Sequence, residues 1–285
     1  MPLTPTGDLV RSAAEEGAGV GAFNVVQIEH AEAIVAGAEA AGRPVVLQLS
    51  ENTVRYHGAL EPLGGATLAI AAACDVPAAV HLDHAESPEL VRAAVELGFT
   101  SVMFDAAKLP YAANVAATRE ITAHCHGRDV WVEAELGEIG GKDGAHAPGV
   151  RTDPGEAEAF VHATGVDALA VAVGSSHAML TRDAVLDFAL IARLGEAVPV
   201  PLVLHGSSGV PDDDLRKAVA TGMRKVNIST HLNKTFTRAV RAHLQEHPAV
   251  ADPRRYLGPA RDAVAAEVAR LLAVLADPAR VPAVS

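Results

Sequence analysis

Aromatic side chains are scarce: one Trp, three Tyr and six Phe make up 4% of the 285 residues. Alanine, valine and leucine carry the apolar half of the chain instead, which suits small-residue helices packed around a sheet. The two cysteines, Cys74 and Cys125, form no CxxC pair. A disulfide framework and a thiolate metal site are therefore not indicated, and both read as small buried residues in a reducing compartment. Positive charge is also short, with 23 Lys and Arg against 35 Asp and Glu, a net charge of −12. That argues against a nucleic-acid surface, which needs clustered cations. It leaves room for a small phosphorylated molecule, because a few local donors outweigh a screened global field. Apolar stretches such as 68–74 are too short to cross a bilayer. The N-terminal MPLTPTGDLV has no basic segment followed by an apolar one, so no signal peptide is expected and the chain reads as a cytoplasmic protein without membrane contact. No GxGxxG follows the first apolar run, which counts against a dinucleotide fold.

What the chain does have is alternation. Short β-type runs at 20–23, 45–49, 78–82, 101–104, 130–132, 168–173, 202–204 and 225–228 are each followed by a helical stretch. Turn signals precede them, among them Gly98, Gly165 and Gly222. Ser87-Pro88-Glu89 reads as a helix start, with Ser87 as N-cap and Pro88 at the first helical position. Pro211 followed by Asp212, Asp213 and Asp214 reads as another, acidic at its positive end. A long terminal helix is expected over 259–275. Repeated βα units imply a parallel sheet, and near-even repeats favour closure into a (β/α)8 TIM barrel. With no linker-like shift in composition, 1–285 reads as one domain, in which 231–285 is a C-terminal helical part.

Active sites of such barrels lie where the strands end. The residues there are Asn24; Ser50; Asp83 and His84; Asp105; Glu133 and Glu135; Gly174 and His177; His205, Gly206, Ser207 and Ser208; and Asn227, Ser229 and Thr230. Three strand ends carry histidine and three carry acids. One rim gathering three imidazoles and several carboxylates is most simply a metal site with an open position. Gly206–Gly209 and 227–230, after the last two strands, offer backbone N–H groups and hydroxyls to a phosphate. The glycine-rich stretch 135–150 carries Glu138 and Asp143 and reads either as a lid that delivers a base on closing or as a mobile surface insertion with no chemistry.

These residues resemble a known family, the class II fructose-bisphosphate/tagatose-bisphosphate aldolases. GAFNV at 21–25, HLDHA at 81–85, GFTSVMFDA at 98–106, VEAELG at 132–137, TGVDALAVAVGSSH at 164–177, PLVLHGSSGVP at 201–211, KVNIST at 225–230 and DPRRYLGPAR at 252–261 look like its signatures in its order. The resemblance implies reversible cleavage of a ketose 1,6-bisphosphate to dihydroxyacetone phosphate and glyceraldehyde 3-phosphate through a zinc-stabilised enediolate. It implies His84, His177 and His205 as ligands of one Zn2+, with Asp105 and Glu135 at a second metal position. Asp83 matches the acid on the aldehyde oxygen, and Asp143 falls where a loop glutamate serves as base. Asn24, Ser50, Gly174, Gly206, Ser207, Ser208, Asn227, Ser229 and Thr230 fall at substrate and phosphate positions. A monovalent cation, Na+ or K+, near the phosphate and a homodimer or homotetramer are further implications.

Ser207, Ala178, Thr181, Asp143 and His231 depart from the family's usual residues, mostly near the phosphate and donor end. They bear on which ketose is used. The same mechanism on another phosphorylated ketose is one alternative. A metal-dependent hydrolase on the same barrel is another, but such barrels typically open with HxH, whereas the first strand here ends Phe23-Asn24. His30, His57, His162, His243 and His247 read as surface or capping residues. His81 reads as a hydrogen-bonding core residue, His124 and His126 as a poor metal pair, and His146 as an exposed lid residue. Arg254 and Arg261 read either as donors to a distal phosphate or as solvated.

Overall fold

In a computed structural model of the chain, which describes residues 3–136, 151–176 and 179–277, every expected run becomes a parallel strand. They are β1 Val20–Asn24, β2 Val45–Ser50, β3 Ala78–Ala85, β4 Ser101–Phe104, β5 Trp131–Leu136, β6 Ala168–Val171, β7 Leu202–Leu204 and β8 Met223–Ile228. They close in sequence order, with β8 pairing back on β1. Helix α1, Thr6–Glu15, precedes the barrel, and α2, Ile28–Ala41, follows β1. Helices α3, Glu51–His57, and α4, Glu61–Ala72, follow β2. Then α5 Pro88–Leu97, α6 Tyr111–His126, α7 Pro154–Thr164, α8 Phe188–Ala197 and α9 Asp212–Thr221 follow the next five strands in turn. Helices α10, Thr230–Glu246, and α11, Arg254–Ala276, come after β8. The architecture is the (β/α)8 barrel expected from the alternation.

Strand parity sorts the side chains. Alternate residues face opposite sides of a strand, and the buried apolar residues separate accordingly. Phe23, Val45, Leu47, Leu49, Val80 and Leu82 join the large cluster beneath the helices. Ala22, Val46 and Ala79 point inward and meet Leu9, Val10 and Ala13 of α1, which closes the N-terminal end of the barrel. Met103, Ala168, Ala170, Ala172 and Val203 fill another part of the interior. Nearer the C-terminal mouth the inward positions turn polar: Asn24, Gln48, His81, Asp83, Glu133, Glu135, His205, Lys225 and Asn227 are all buried.

The local signals behave as expected at α5, where Ser87 Oγ accepts from Leu90 N at 3.1 Å and Pro88 stands at the first position. Several boundaries differ, among them three with a structural lesson. Strand β5 runs on through Glu133 and Glu135 because its inward face meets a polar interior, so acids there do not end it. Strand β6 stops at Val171, short of the expected 173. Helix α11 begins at Arg254 and carries Pro259 inside it. It lies against α2 so closely that a Cβ on Gly37 would come 2.5 Å from the Ala265 carbonyl oxygen, which requires glycine there.

His30 is a correction. It is 3% exposed, and its ring stacks on Phe236 with centroids 4.9 Å apart, so it is a core residue. Its contact with Phe236 of α10 could not be read from α2 alone. Burial lowers its pKa to about 4, against a weaker upward pull from Glu29. An unfolded histidine takes its proton near pH 6.5, so between about 6.5 and 4 the unfolded chain binds more protons. Stability must then fall as pH drops through that window, by roughly 3 kcal/mol from this residue. Calorimetry at pH 7 and pH 4.5 should show the unfolding midpoint dropping in the parent and dropping less in His30→Leu. Equal drops would remove His30 as the cause.

Candidate metal centre

Two imidazoles meet at the mouth. His205 follows β7 with its side chain inside the barrel, and its Nδ1 lies 3.0 Å from His84 Nε2. Each ring is anchored through its other nitrogen. His205 Nε2 is 2.8 Å from Glu133 Oε1, and His84 Nδ1 is 2.8 Å from Asp105 Oδ2. A carboxylate only accepts, so the anchored nitrogens carry the hydrogens. The two facing nitrogens then both direct lone pairs at one another. Burial lowers the pKa of His205, with help from His84 and against Glu133, which favours the neutral ring. Two converging lone pairs are reconciled by a cation between them, and a tetrahedral zinc ion holds ligand nitrogens about 3.3 Å apart. The residues present therefore fit a metal ion.

Asp83, His84 and His205 offer ligand atoms within 4.8 Å of one another, and so do His84, Asp105 and Glu135. His84 is common to both sets and uses a different ring edge in each. Glu135 Oε2 is 3.7 Å from His205 Nδ1 and 4.0 Å from His84 Nδ1. His177, the expected third histidine, and Asp143, the expected base, lie outside the described residues.

His84 reaches this place by breaking strand parity. Asp83 faces inward, so the next residue should face the helices. Instead the β3–β4 register slips between Leu82 and Ala85, and His84 takes φ +50°, a left-handed conformation that costs a non-glycine residue about 1–2 kcal/mol. The bulge turns two consecutive residues to one site. Asp83 is then held by amides on both oxygens: Asn24 Nδ2 donates to Oδ2 at 3.0 Å and Asn227 Nδ2 to Oδ1 at 3.3 Å. Gln48 Nε2 donates to Asn24 Oδ1 at 2.9 Å; Asn227 Nδ2 lies 3.0 Å from His205 Nε2, a contact and not a hydrogen bond when that nitrogen donates to Glu133.

The residues expected to hold phosphate gather beside this. Ser208 Oγ accepts from Ser229 N at 3.3 Å and His231 N at 3.1 Å, so the N–H groups at the start of α10, where Thr230 lies, converge on the loop after β7. Such groups suit an anion. Gly206 takes φ +66°, and a Cβ there would lie 2.6 Å from backbone atoms of Ser176. The loops after β6 and β7 thus touch through a position only glycine can fill. Ser207 turns its hydroxyl to the Leu204 carbonyl at 3.0 Å. Ser50 caps α3, accepting from Thr53 N at 3.2 Å, and Gly174 bends the chain after β6 with φ +118°.

Sequence reasoning gave no role to four residues here. Gln48, in an otherwise apolar strand, and Lys225, two before Asn227, both stand at inward positions. Glu133, two before Glu135, was noted only as a strand-end acid. Period-two spacing was the signal available for all three. Glu51 is the fourth: its Oε2 accepts from Glu86 N at 2.6 Å and Ser87 N at 3.2 Å, holding the loop that follows His84. Burial alone would raise the Glu133 carboxyl, but Lys225 and His205 hold it well below the ordinary range. His81 is the core residue expected. Its Nδ1 lies 2.8 Å from Ser101 Oγ, and burial, seconded by Lys225, lowers its pKa to about 3. Arg254 pairs with Asp252 at 2.8 Å and Arg261 with Glu32 at 3.0 Å.

Comparison with known proteins bears on this mouth. The family model described as fructose-bisphosphate aldolase class-II matches residues 4–278. The fructose-bisphosphate aldolase of Geobacillus stearothermophilus is 39% identical over 272 residues, covering 94% of this chain and 95% of that protein. That of Thermus caldophilus is 39% identical over 284 residues, covering 90% and 92%. The crystal structure of the YdjI aldolase from Escherichia coli K12 superposes with a TM-score of 0.84 at 29% identity, over 96% of this chain and 97% of that one.

Proposed function

Because the chain belongs to the class II fructose-bisphosphate aldolase family, a family of carbon–carbon lyases, we propose that its barrel mouth cleaves a ketose 1,6-bisphosphate reversibly to dihydroxyacetone phosphate and glyceraldehyde 3-phosphate, with one zinc ion held by His84, His205 and His177. The observation that supports this most is the pair of carboxylate-anchored imidazoles facing each other at 3.0 Å. When bound, the ion supplies a Lewis acid for the oxygens next to the bond that breaks. Everything else falls to the chain's own residues.

Asp83 moves the proton of the hydroxyl that becomes the aldehyde. Amides on both of its oxygens fix the direction of the carboxylate that accepts that proton during cleavage. Asp143 handles the proton on the ketone side. Ser208, Ser229, Thr230 and the backbone of Gly206 and Ser207 hold the phosphate of the ketone fragment, while Asn24, Ser50 and Asn227 position its oxygens. Among the described residues the lysine inside the barrel is Lys225, which is fully buried and whose Nζ donates to Glu133 Oε2 and Asn227 Oδ1, each at 2.8 Å, so it is not placed to form a Schiff base.

Dihydroxyacetone phosphate offered with a panel of aldehydes, including glyceraldehyde 3-phosphate, tests this. Condensation to a ketose bisphosphate is expected, and the configuration of the product tells fructose from tagatose. Use of dihydroxyacetone phosphate with a different aldehyde in preference would move the assignment to another phosphorylated ketose. Failure to use it with any aldehyde would refute the donor.

A further inference from the structure

Among the described residues, the barrel interior holds an ion pair, Lys225–Glu133, that lies behind the metal-facing and substrate-facing groups. Lys225 and Glu133 are both fully buried. They stand on β8 and β5, and the lysine spans the interior to bring Nζ 2.8 Å from Glu133 Oε2. Packing does not explain them. The neighbouring interior is filled by Met103, Ala168, Ala170 and Val203, so apolar side chains serve as barrel filling there. Taking two charges out of water is costly, and well-packed apolar replacements of such pairs are often at least as stable.

What the pair does is join two parts of the site. The other oxygen of Glu133 accepts from His205 Nε2 at 2.8 Å. The other bond from Lys225 goes to Asn227 Oδ1 at 2.8 Å, and this fixes which end of that amide faces Asp83. With Nζ on the oxygen, the nitrogen must point to the carboxylate. From one buried ammonium, therefore, one path runs through Glu133 to the metal-facing imidazole and another through Asn227 to the acid. We propose that Lys225 is a positioning residue that sets the ring of His205 and the carboxylate of Asp83 relative to each other, so that metal and proton-moving group stay in one geometry.

This rests on the zinc-aldolase reading above, and the experiment separates the two. Zinc affinity of metal-free protein is measured by competition with a chromogenic chelator, alongside kcat and KM for fructose bisphosphate cleavage. The parent is compared with Lys225→Met and with the double variant Lys225→Met/Glu133→Gln. The double variant leaves no unpaired buried charge, so it is expected to fold even if the single variant does not. In the double variant zinc should bind about 10- to 100-fold more weakly, and kcat should fall at least about tenfold with KM within about threefold, the split expected when transition-state geometry and not substrate binding is lost. A folded double variant that keeps the parent's zinc affinity and kcat overturns the proposal alone. A parent that binds no zinc overturns the metal reading and this proposal with it.

Discussion

His205→Ala should abolish zinc binding and cleavage together. The substitution removes one of the two nitrogens that face each other at 3.0 Å and leaves Glu133 without the imidazole it orients. Lys225 stays on Glu133, so the buried acid is not left bare and the barrel should hold. Metal stabilisation of developing charge is worth several kcal/mol, so kcat/KM should fall at least about 10³-fold. Metal analysis after dialysis, with a coupled assay for triose phosphate, reads both quantities. Undiminished cleavage by metal-free parent or variant would end the zinc mechanism.

Asp83→Asn should separate what His205→Ala joins. An amide at 83 is close in shape but moves no proton, and it sets an NH2 against the donors Asn24 or Asn227. General acid–base catalysis by one group contributes about 10²- to 10⁴-fold, so kcat should fall by that factor while bound zinc stays near one per chain. Asp83 also lies close enough to His84 and His205 to bind a metal itself. Loss of zinc in parallel with activity would therefore reassign it from proton transfer to metal ligation.

The barrel was legible because it is written twice in the chain, as alternating βα units and as polar residues after each apolar run. That His84, His205, Asp83, Asp105 and Glu135 come together at one mouth was legible for the same reason: a strand end is a fixed address in this fold. Strand interiors were harder to read. Gln48, Glu133 and Lys225 lie where a short run looks merely interrupted, and only closure shows that β5 and β8 face one another across a space a lysine can span. His30 was misjudged because its partner, Phe236, is more than 200 residues away in the chain. Orientation was the least legible property of all. Sequence gives Ser207 a place in the phosphate loop, but only the fold turns its hydroxyl to Leu204.

The left-handed residue in β3 sets a rule for anyone grafting this centre onto another barrel. Copying Asp and His as neighbours onto a regular strand would deliver the acid to the lumen and bury the histidine beneath the helices. The transferable unit is the irregular strand ending with its slipped pairing to β4, together with Glu51, which fastens the loop beyond it. A design scored on side-chain identity alone would pass inspection and bind nothing.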